Sequence, residues 1–259
     1  MRYARLFVPV VSVLGLTLLA ASPSWAQSPQ QFAPDATRYM ALGDSIAAGY
    51  KAMPVTNGYA FRLYQDGVFD ALPHTLFVNA AVPGATSGDV LMYQVPQAVI
   101  PFESNGFNPA FVTLTVGGDD LLAVLSFAMV HQDDPNAVLA FAQQQIAAFG
   151  QNLGGILTGL RTGLPSAKIF VSNQYTIPEI QALLPITDTV VDNLNATIAQ
   201  VVTQFPTNVY LVDVHGAFLG RNNLIEGERP NVSVAEVHPT NAGQRVIEQA
   251  FAAVIDEHR

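Results

Sequence analysis

The chain has no cysteine among its 259 residues and few basic side chains. Without cysteine there can be no disulfide framework, no thiolate chemistry and no cysteine-based zinc site. Lys and Arg total 11 against 20 Asp and Glu, so the formal net charge is −9. No cluster of basic residues offsets this negative charge. We therefore expect no binding of nucleic acid or of an acidic membrane surface.

Long apolar runs are also scarce, and the one that approaches a membrane span lies at the N-terminus. Basic residues at positions 2 and 5 precede an apolar run over 6–21, which ends near Ser24-Trp25-Ala26, a small-x-small pattern. This arrangement predicts a secretory signal peptide over 1–26 rather than a retained anchor. Cleavage would remove both basic residues and change the net charge to −11.

No repeat, low-complexity stretch or linker divides the rest of the chain. We expect a flexible polar lead-in over 27–36 and one domain over 37–259, long enough for a well-buried core. Five short apolar runs alternate there with stretches whose apolar residues recur three and four positions apart. This alternation predicts a parallel sheet with helices on both faces.

The boundaries of the predicted elements follow from these patterns. The predicted strands are 38–44, 75–81, 110–116, 167–173 and 207–214. The predicted helices are 58–70, 87–98, 119–130, 136–162, 187–204 and 240–257. The glycines within 136–162 leave open whether that stretch is one helix or a bent pair.

Small and polar residues follow three predicted strands and precede the last predicted helix. They are Gly43-Asp44-Ser45, Gly84, Gly117-Gly118-Asp119-Asp120 and His238. The carboxyl ends of parallel strands form the ligand crevice, and the following helices direct free N–H groups into it. Each motif alone fits ordinary turn or capping chemistry. Together, and in this order, they indicate a catalytic site with Ser45 as the first candidate nucleophile.

In order and spacing, these motifs resemble those of the SGNH/GDSL hydrolases, in their secreted-esterase branch, over essentially the whole mature length. The family's blocks are Gly-Asp-Ser, a glycine, Gly-x-Asn-Asp and Asp-x-x-His-Pro. They are similar to Gly43-Asp44-Ser45, Gly84, Gly117-Gly118-Asp119-Asp120 and Ala235-Glu236-Val237-His238-Pro239. The resemblance implies a flavodoxin-like three-layer α/β/α sandwich around a mostly parallel five-stranded sheet.

The resemblance also implies a serine esterase or lipase that hydrolyses carboxylic acyl esters through an acyl-enzyme, with no cofactor and no metal. In that reaction Ser45 attacks the acyl carbonyl and His238 takes the proton of its hydroxyl. The backbone N–H groups of Ser45 and Gly84, together with the side chain at position 119, would form the oxyanion hole.

Two positions depart from the family pattern. Asp119 stands where the family has its oxyanion-hole asparagine, and an ionised carboxylate would repel the developing charge. We hypothesise that Asp119 stays protonated through desolvation and donates a hydrogen bond. The alternatives are that it turns away or that the enzyme is slow.

The second departure is Ala235, which stands where the family has its triad aspartate. We expect a backbone carbonyl to orient His238 in a Ser-His dyad. Glu236 is the alternative, and Glu226 and Glu228 lie on the segment that leads to it.

Several residues are candidate substrate contacts. Tyr50, Tyr59, Phe61 and Tyr64 either line a pocket or pack in the core. The stretches 93–109 and 175–188 are candidate substrate walls or a lid, and their apolar character favours acyl esters over sugars. Asp213 and His215 have no evident third ligand, so we interpret them as structural.

The expected partner is a small-molecule or lipid acyl ester. We expect no stable membrane insertion after cleavage, and a location in the periplasm or outside the cell. Two alternatives stay open: a carbohydrate deacetylase of the same family, and a catalytically weak relative that binds an ester or lipid.

Overall fold

The computed structural model describes residues 36–69, 75–225 and 237–258. The predicted signal peptide, and the predicted lead-in as far as residue 35, lie outside the described residues. Five strands form the sheet, and their ends differ from the predicted ones by at most two residues. They are β1 (Thr37–Gly43), β2 (Thr75–Asn79), β3 (Phe111–Thr115), β4 (Lys168–Ser172) and β5 (Val209–Val212).

All five strands run parallel, in the spatial order β2-β1-β3-β4-β5. The predicted α/β class with a five-stranded sheet is therefore confirmed. In this order the chain passes from β1 to β2 on one side and later returns to add β3 on the other. The sheet thus has its topological switch point between β1 and β3, where ligands bind in open α/β sheets.

Helices follow the strands along the chain. They are α1 (Ser45–Ala48), α2 (Tyr59–Gln65), α3 (Ser87–Asp89), α4 (Val95–Ala98), α5 (Leu122–Val130), α6 (Pro135–Gly163), α7 (Pro178–Leu183), α8 (Thr187–Val202), α9 (Val214–Phe218) and α10 (Asn241–Glu257). A π-helical turn, Val90–Gln94, joins α3 to α4, and 3₁₀ turns lie at Val55–Asn57, Phe102–Ser104, Asp119–Leu121 and Asn222–Leu224. The short helices α7 and α9 were not predicted.

The long helix α6 is one continuous element, so the bent pair left open above is not found. Its glycines instead make room for neighbours. A Cβ atom at Gly155 would lie 3.1 Å from the side chain of Leu91, and one at Gly159 would lie 2.9 Å from that of Val95. These glycines let the π-helical turn and the start of α4 pack closely against α6.

Alternate residues of β1 enter two separate cores. Met40 and Leu42 belong to the core under α5, α6 and α8, whereas Tyr39 and Ala41 belong to the core under α2, α9 and α10. This period-two pattern follows from strand geometry, in which successive side chains point to opposite faces. The result is the expected three-layer sandwich.

The end of β1 is fixed from two sides. Gly43 has φ of +128°, and a side chain there would overlap the carbonyl oxygen of Thr115. The buried side-chain amide of Gln94 accepts from the Gly43 N–H and donates to the Gly43 carbonyl, both at 2.8 Å. The residues that follow β1 therefore begin at a defined point of the crevice.

No helix within the described ranges combines the length and apolar character that a membrane crossing requires.

Candidate active site

The first two candidate residues meet at the carboxyl edge of the sheet. Ser45 is the first residue of α1, directly after β1, and His238 lies in the loop before α10. Ser45 Oγ and His238 Nε2 are 3.0 Å apart, although 193 positions separate them in the chain. This is hydrogen-bonding distance, so a proton can pass between the hydroxyl and the imidazole.

Asp44 supports the turn that presents Ser45. Its Oδ1 accepts a hydrogen bond from the Ile46 N–H at 2.9 Å, so Asp44 is the N-cap of α1. The side chain is buried, with 1% of its surface exposed. Burial raises the pKa of Asp44 from 3.8 to about 8, and the negative charge of Asp119 adds to the shift, whereas the Ile46 N–H opposes it.

This raised pKa predicts that the stability of the fold falls as the pH rises. Between about pH 4 and 8 the unfolded chain has Asp44 ionised while the folded chain holds it protonated, so rising pH favours unfolding. We expect the free energy of unfolding to drop by a few kcal/mol over this window, at about 1.4 kcal/mol per pKa unit. Asp44→Asn keeps the oxygen that accepts from Ile46 and should flatten the drop.

Urea unfolding at pH 5, 7 and 9 measures this difference. Asp133→Asn is the matched control, because Asp133 is exposed and its substitution should leave the slope unchanged. Parallel pH profiles for wild type and Asp44→Asn would show that Asp44 does not carry the effect.

His238 is positioned by the Tyr50 ring and by contacts of its neighbours in the chain. The Tyr175 hydroxyl donates to the Val237 carbonyl at 2.7 Å, and the Tyr50 ring lies edge-on to the imidazole at 4.8 Å between centroids. Two positions after His238, Thr240 caps α10 by accepting from the Gly243 N–H at 3.1 Å. Tyr175 was not predicted to support His238, because nothing in the sequence links two positions so far apart.

The sequence offers Glu236, and Glu226 and Glu228 on the segment before it, as carboxylates that could orient the His238 imidazole. All three, and Ala235, lie outside the described residues.

Two backbone N–H groups are available to an oxyanion near Ser45. Neither the Ser45 nor the Gly84 N–H forms a hydrogen bond within the part of the chain that the structure describes. The first N–H groups of a helix have no partner inside it, which accounts for Ser45. Gly84 has φ of +85°, a conformation that favours glycine, and it lines the same cavity as Ser45 and His238.

The loop that carries Gly84 is tied to the loop after β3. The Ser87 N–H donates to Asp120 Oδ2 at 2.9 Å, and the Ser87 hydroxyl donates to Asp120 Oδ1 at 2.5 Å. The Asn152 side chain of α6 donates to the same hydroxyl at 3.0 Å. Asp120 thus fixes the loop that carries Gly84 relative to Asp119, the residue that precedes Asp120.

Asp119 begins the 3₁₀ turn after β3, is half-buried and lines the cavity with Ser45. Burial raises its pKa, and the negative charges of Asp120 and Asp89 raise it further, whereas His238 opposes them. Asp119 therefore borders the same cavity as Ser45, and its surroundings raise its pKa.

A cavity of about 470 Å³ joins these groups. Most of its lining is apolar, with side chains from α5, from α8 and from the segment 175–186, so the predicted wall over 175–188 contributes to it. The stretch 93–109 does not; within the described residues it contributes Tyr93 and Gln94 to a smaller adjoining pocket of about 190 Å³.

Of the four aromatic candidates, Tyr50 lines the cavity, Tyr59 is a core residue, and Phe61 and Tyr64 are half-buried. Tyr59 is fully buried and stacks on Phe251, while Phe61 and Tyr64 pack on Phe77. The contribution of α5 to the cavity was not predicted, since an apolar helix after a strand is normally a core element.

Asp213 caps α9 by accepting from the Gly216 N–H, and His215 contacts the Gln174 carbonyl through Nδ1. Within the described ranges, no group of three or more His, Asp or Glu side chains is arranged to hold a metal ion.

Comparison with known proteins gives a consistent picture. A model of the GDSL-like lipase/acylhydrolase family matches residues 41–246, which include Ser45, Gly84, Asp119 and His238. Similar solved structures include an extracellular lipase from Streptomyces rimosus (20% identity, TM-score 0.62) and phospholipase A1 from Streptomyces albidoflavus (22%, 0.63). Each alignment covers 86% of this chain and 100% of the other.

A catalytic mutant of an acetylxylan esterase from Geobacillus stearothermophilus is also similar, at 19% identity and TM-score 0.57, covering 86% of this chain and 96% of its own. No curated protein matches the chain significantly. At these identities the structural likeness shows a shared fold.

Proposed function

Since this chain belongs to the GDSL-like lipase/acylhydrolase family, we propose that it is a serine esterase that hydrolyses carboxylic acyl esters. The observation that carries the proposal is the 3.0 Å contact between Ser45 Oγ and His238 Nε2 at the switch point of the sheet. The two free N–H groups beside this contact, and the apolar cavity beyond it, support the same reaction.

The proposed reaction proceeds in two halves. Ser45 Oγ attacks the acyl carbonyl carbon while His238 Nε2 takes the hydroxyl proton, and the N–H groups of Ser45 and Gly84 stabilise the oxyanion. The carbon–oxygen bond to the alcohol then breaks, and the alcohol leaves with the proton from His238. In the second half, water gives a proton to His238 and attacks the acyl-enzyme, which releases the acid and restores Ser45.

The test is the hydrolysis of p-nitrophenyl acetate, butyrate and octanoate by wild type and by Ser45→Ala. Turnover that the substitution abolishes supports the esterase. Equal background rates in both proteins would support a binding protein instead. The apolar cavity argues against a carbohydrate deacetylase, because sugar hydroxyl groups need polar partners that most of its lining lacks.

For the orientation of His238 we propose the dyad, with a backbone carbonyl in the role of the missing carboxylate. Glu236→Gln should then leave kcat within about tenfold of wild type, because an uncharged side chain there removes no essential contact. Steady-state kinetics on p-nitrophenyl butyrate measure this, with Glu103→Gln, at an exposed glutamate, as the control. A loss of several orders of magnitude would reject the dyad and assign the role to Glu236.

The proposal includes export. The pattern over 1–26 supports a cleaved signal peptide, followed by a lead-in over 27–36 and the hydrolase domain over 37–259. The partner is then a small-molecule or lipid acyl ester met in the periplasm or outside the cell, and the net negative charge argues against nucleic acid.

A further inference from the structure

A second, smaller pocket adjoins the cavity that contains Ser45. Its volume is about 190 Å³, and Pro83 and Gly84 line both spaces. The proposed reaction places the carbonyl oxygen of the ester at the Gly84 N–H, so a substrate held there can extend into the smaller pocket. Since a water molecule in the liquid takes about 30 Å³, the pocket has room for a group of about six non-hydrogen atoms.

The rest of its lining combines apolar surface, one aromatic ring and one carboxylate. The other lining residues are Val82, Ala85, Asp89, Tyr93 and Gln94, and we call the space the Asp89 pocket. The buried Gln94 amide already bonds to the N–H and the carbonyl of Gly43. Among the described residues, no Lys or Arg lines either space. A group in the Asp89 pocket therefore meets a carboxylate and a tyrosine, but few partners for hydrogen bonds.

Asp89 is ionised at neutral pH. The Thr86 hydroxyl donates to Asp89 Oδ2 at 2.6 Å and the Thr86 N–H donates to the same atom at 3.0 Å, which holds the pKa of Asp89 below its usual value. Within the described part of the chain, no basic side chain forms a salt bridge with Asp89. Its negative charge also acts on the catalytic groups, since it raises the pKa of Asp119 and of Asp120.

The chemistry of this lining suits one kind of group. A sugar or glycerol needs several hydrogen-bonding partners, and a primary ammonium group needs an acceptor for each N–H. A quaternary ammonium group needs none, because methyl groups cover its charge. It is attracted to a carboxylate and to the face of an aromatic ring, and its methyl groups can contact Val82 and Ala85.

We propose that the Asp89 pocket binds a quaternary ammonium group on the alcohol of the ester, so that the substrates include esters of choline-like amino alcohols. The inference rests on the proposed esterase function and adds its substrate class. In such an ester two carbon atoms separate the nitrogen from the ester oxygen. The ammonium group therefore lies close to the reacting carbonyl, as a pocket that shares Gly84 with the catalytic cavity requires.

Two esters of the same shape test the proposal. They are butyrylcholine and 3,3-dimethylbutyl butyrate, in which a carbon atom replaces the charged nitrogen. In wild type we expect kcat/KM to be about tenfold higher for butyrylcholine. Raising the salt concentration from about 0.01 M to about 1 M should reduce this ratio, because salt screens the attraction to Asp89.

Substitutions assign the preference to the pocket. Asp89→Asn removes the charge and keeps an oxygen that can accept from Thr86, so the ratio of the two kcat/KM values should fall close to one. Tyr93→Leu should lower it about threefold by removing the aromatic ring. The ratio is the readout because a general loss of activity affects both esters equally. Asp133→Asn, which removes a charge at an exposed position outside both spaces, is the matched control and should keep the wild-type ratio.

Equal kcat/KM values for the two esters in wild type, or a wild-type ratio in Asp89→Asn, would overturn the ammonium site. Hydrolysis of 3,3-dimethylbutyl butyrate would still support the esterase. Should Asp89→Asn fail to fold, as judged by circular dichroism, Tyr93→Leu decides the question, because Tyr93 is 59% exposed and its replacement leaves no buried space.

A binding measurement separates the site from the reaction. In Ser45→Ala, which cannot form an acyl-enzyme, saturation-transfer NMR should detect binding of tetramethylammonium through its methyl signal. Adding Asp89→Asn should abolish the signal, and adding Asp133→Asn should not. If wild type hydrolyses no ester while this pattern holds, the ammonium site stands and the proposed esterase function is wrong. No transfer in Ser45→Ala overturns the ammonium site.

Discussion

We expect Ser45→Ala, His238→Ala and the double variant to lose ester turnover to the same extent, by about 10⁴–10⁶ in kcat. The hydroxyl is a weak nucleophile until the imidazole 3.0 Å away removes its proton, so neither side chain achieves much alone. Losing the second partner after the first should therefore cost little more. The measurement is kcat on p-nitrophenyl butyrate for the three variants.

Two controls separate this effect from general damage. Ser126→Ala changes an exposed serine on α5, and His131→Ala changes an exposed histidine at the end of that helix. Both should keep turnover near the wild-type value. If the activation free energies lost in the two single variants add up in the double variant, Ser45 and His238 act independently. That result would contradict the proposed mechanism.

The strands of this fold could be predicted from the sequence because each contains a short apolar run between polar segments. In a parallel sheet covered on both faces, burial on two sides produces such runs, as in β3 and β4. The motifs at the strand ends could be placed for the same reason: once β1 ends at Gly43, Ser45 must lie in the crevice.

The supporting contacts could not be predicted, because they join residues far apart in the chain. The bond from Tyr175 to the Val237 carbonyl and the amide of Gln94 on Gly43 depend on how loops pack. The cavity beside α5 escaped prediction for another reason. Composition shows that a helix is apolar, but not whether its faces meet other helices or an empty space.

Asp119 is where the chain departs most from the chemistry that its family implies, and it supplies the second large effect. As a neutral acid Asp119 can donate a hydrogen bond to the oxyanion; as a carboxylate it can only repel the charge. Its pKa is raised by burial and by the negative charges of Asp120 and Asp89. We expect kcat/KM to fall as the pH rises through that raised pKa, by about 10²–10³, the usual cost of losing one oxyanion donor.

For Asp119→Asn we expect kcat/KM to stay constant at alkaline pH, because the asparagine amide donates a hydrogen bond to the oxyanion at every pH. Below the pKa of Asp119 the variant and wild type should have similar rates; above it the variant should be faster. The measurement is kcat/KM on p-nitrophenyl butyrate from pH 5 to 10. Asp133→Asn, at an exposed position, should keep the wild-type profile.

Asp44 complicates the profile, since its pKa of about 8 lies within the pH 5–10 interval of the measurement. The two carboxyl groups can be separated because they act on different quantities. Asp44→Asn should remove most of the pH dependence of unfolding and keep the alkaline loss of kcat/KM. Asp119→Asn should remove the alkaline loss of kcat/KM and change the pH dependence of unfolding less, because Asp119 is only half-buried. If Asp119→Asn lowers the rate and leaves the shape of the profile unchanged, Asp119 is not the donor. The oxyanion would then be stabilised by the N–H groups of Ser45 and Gly84 without it.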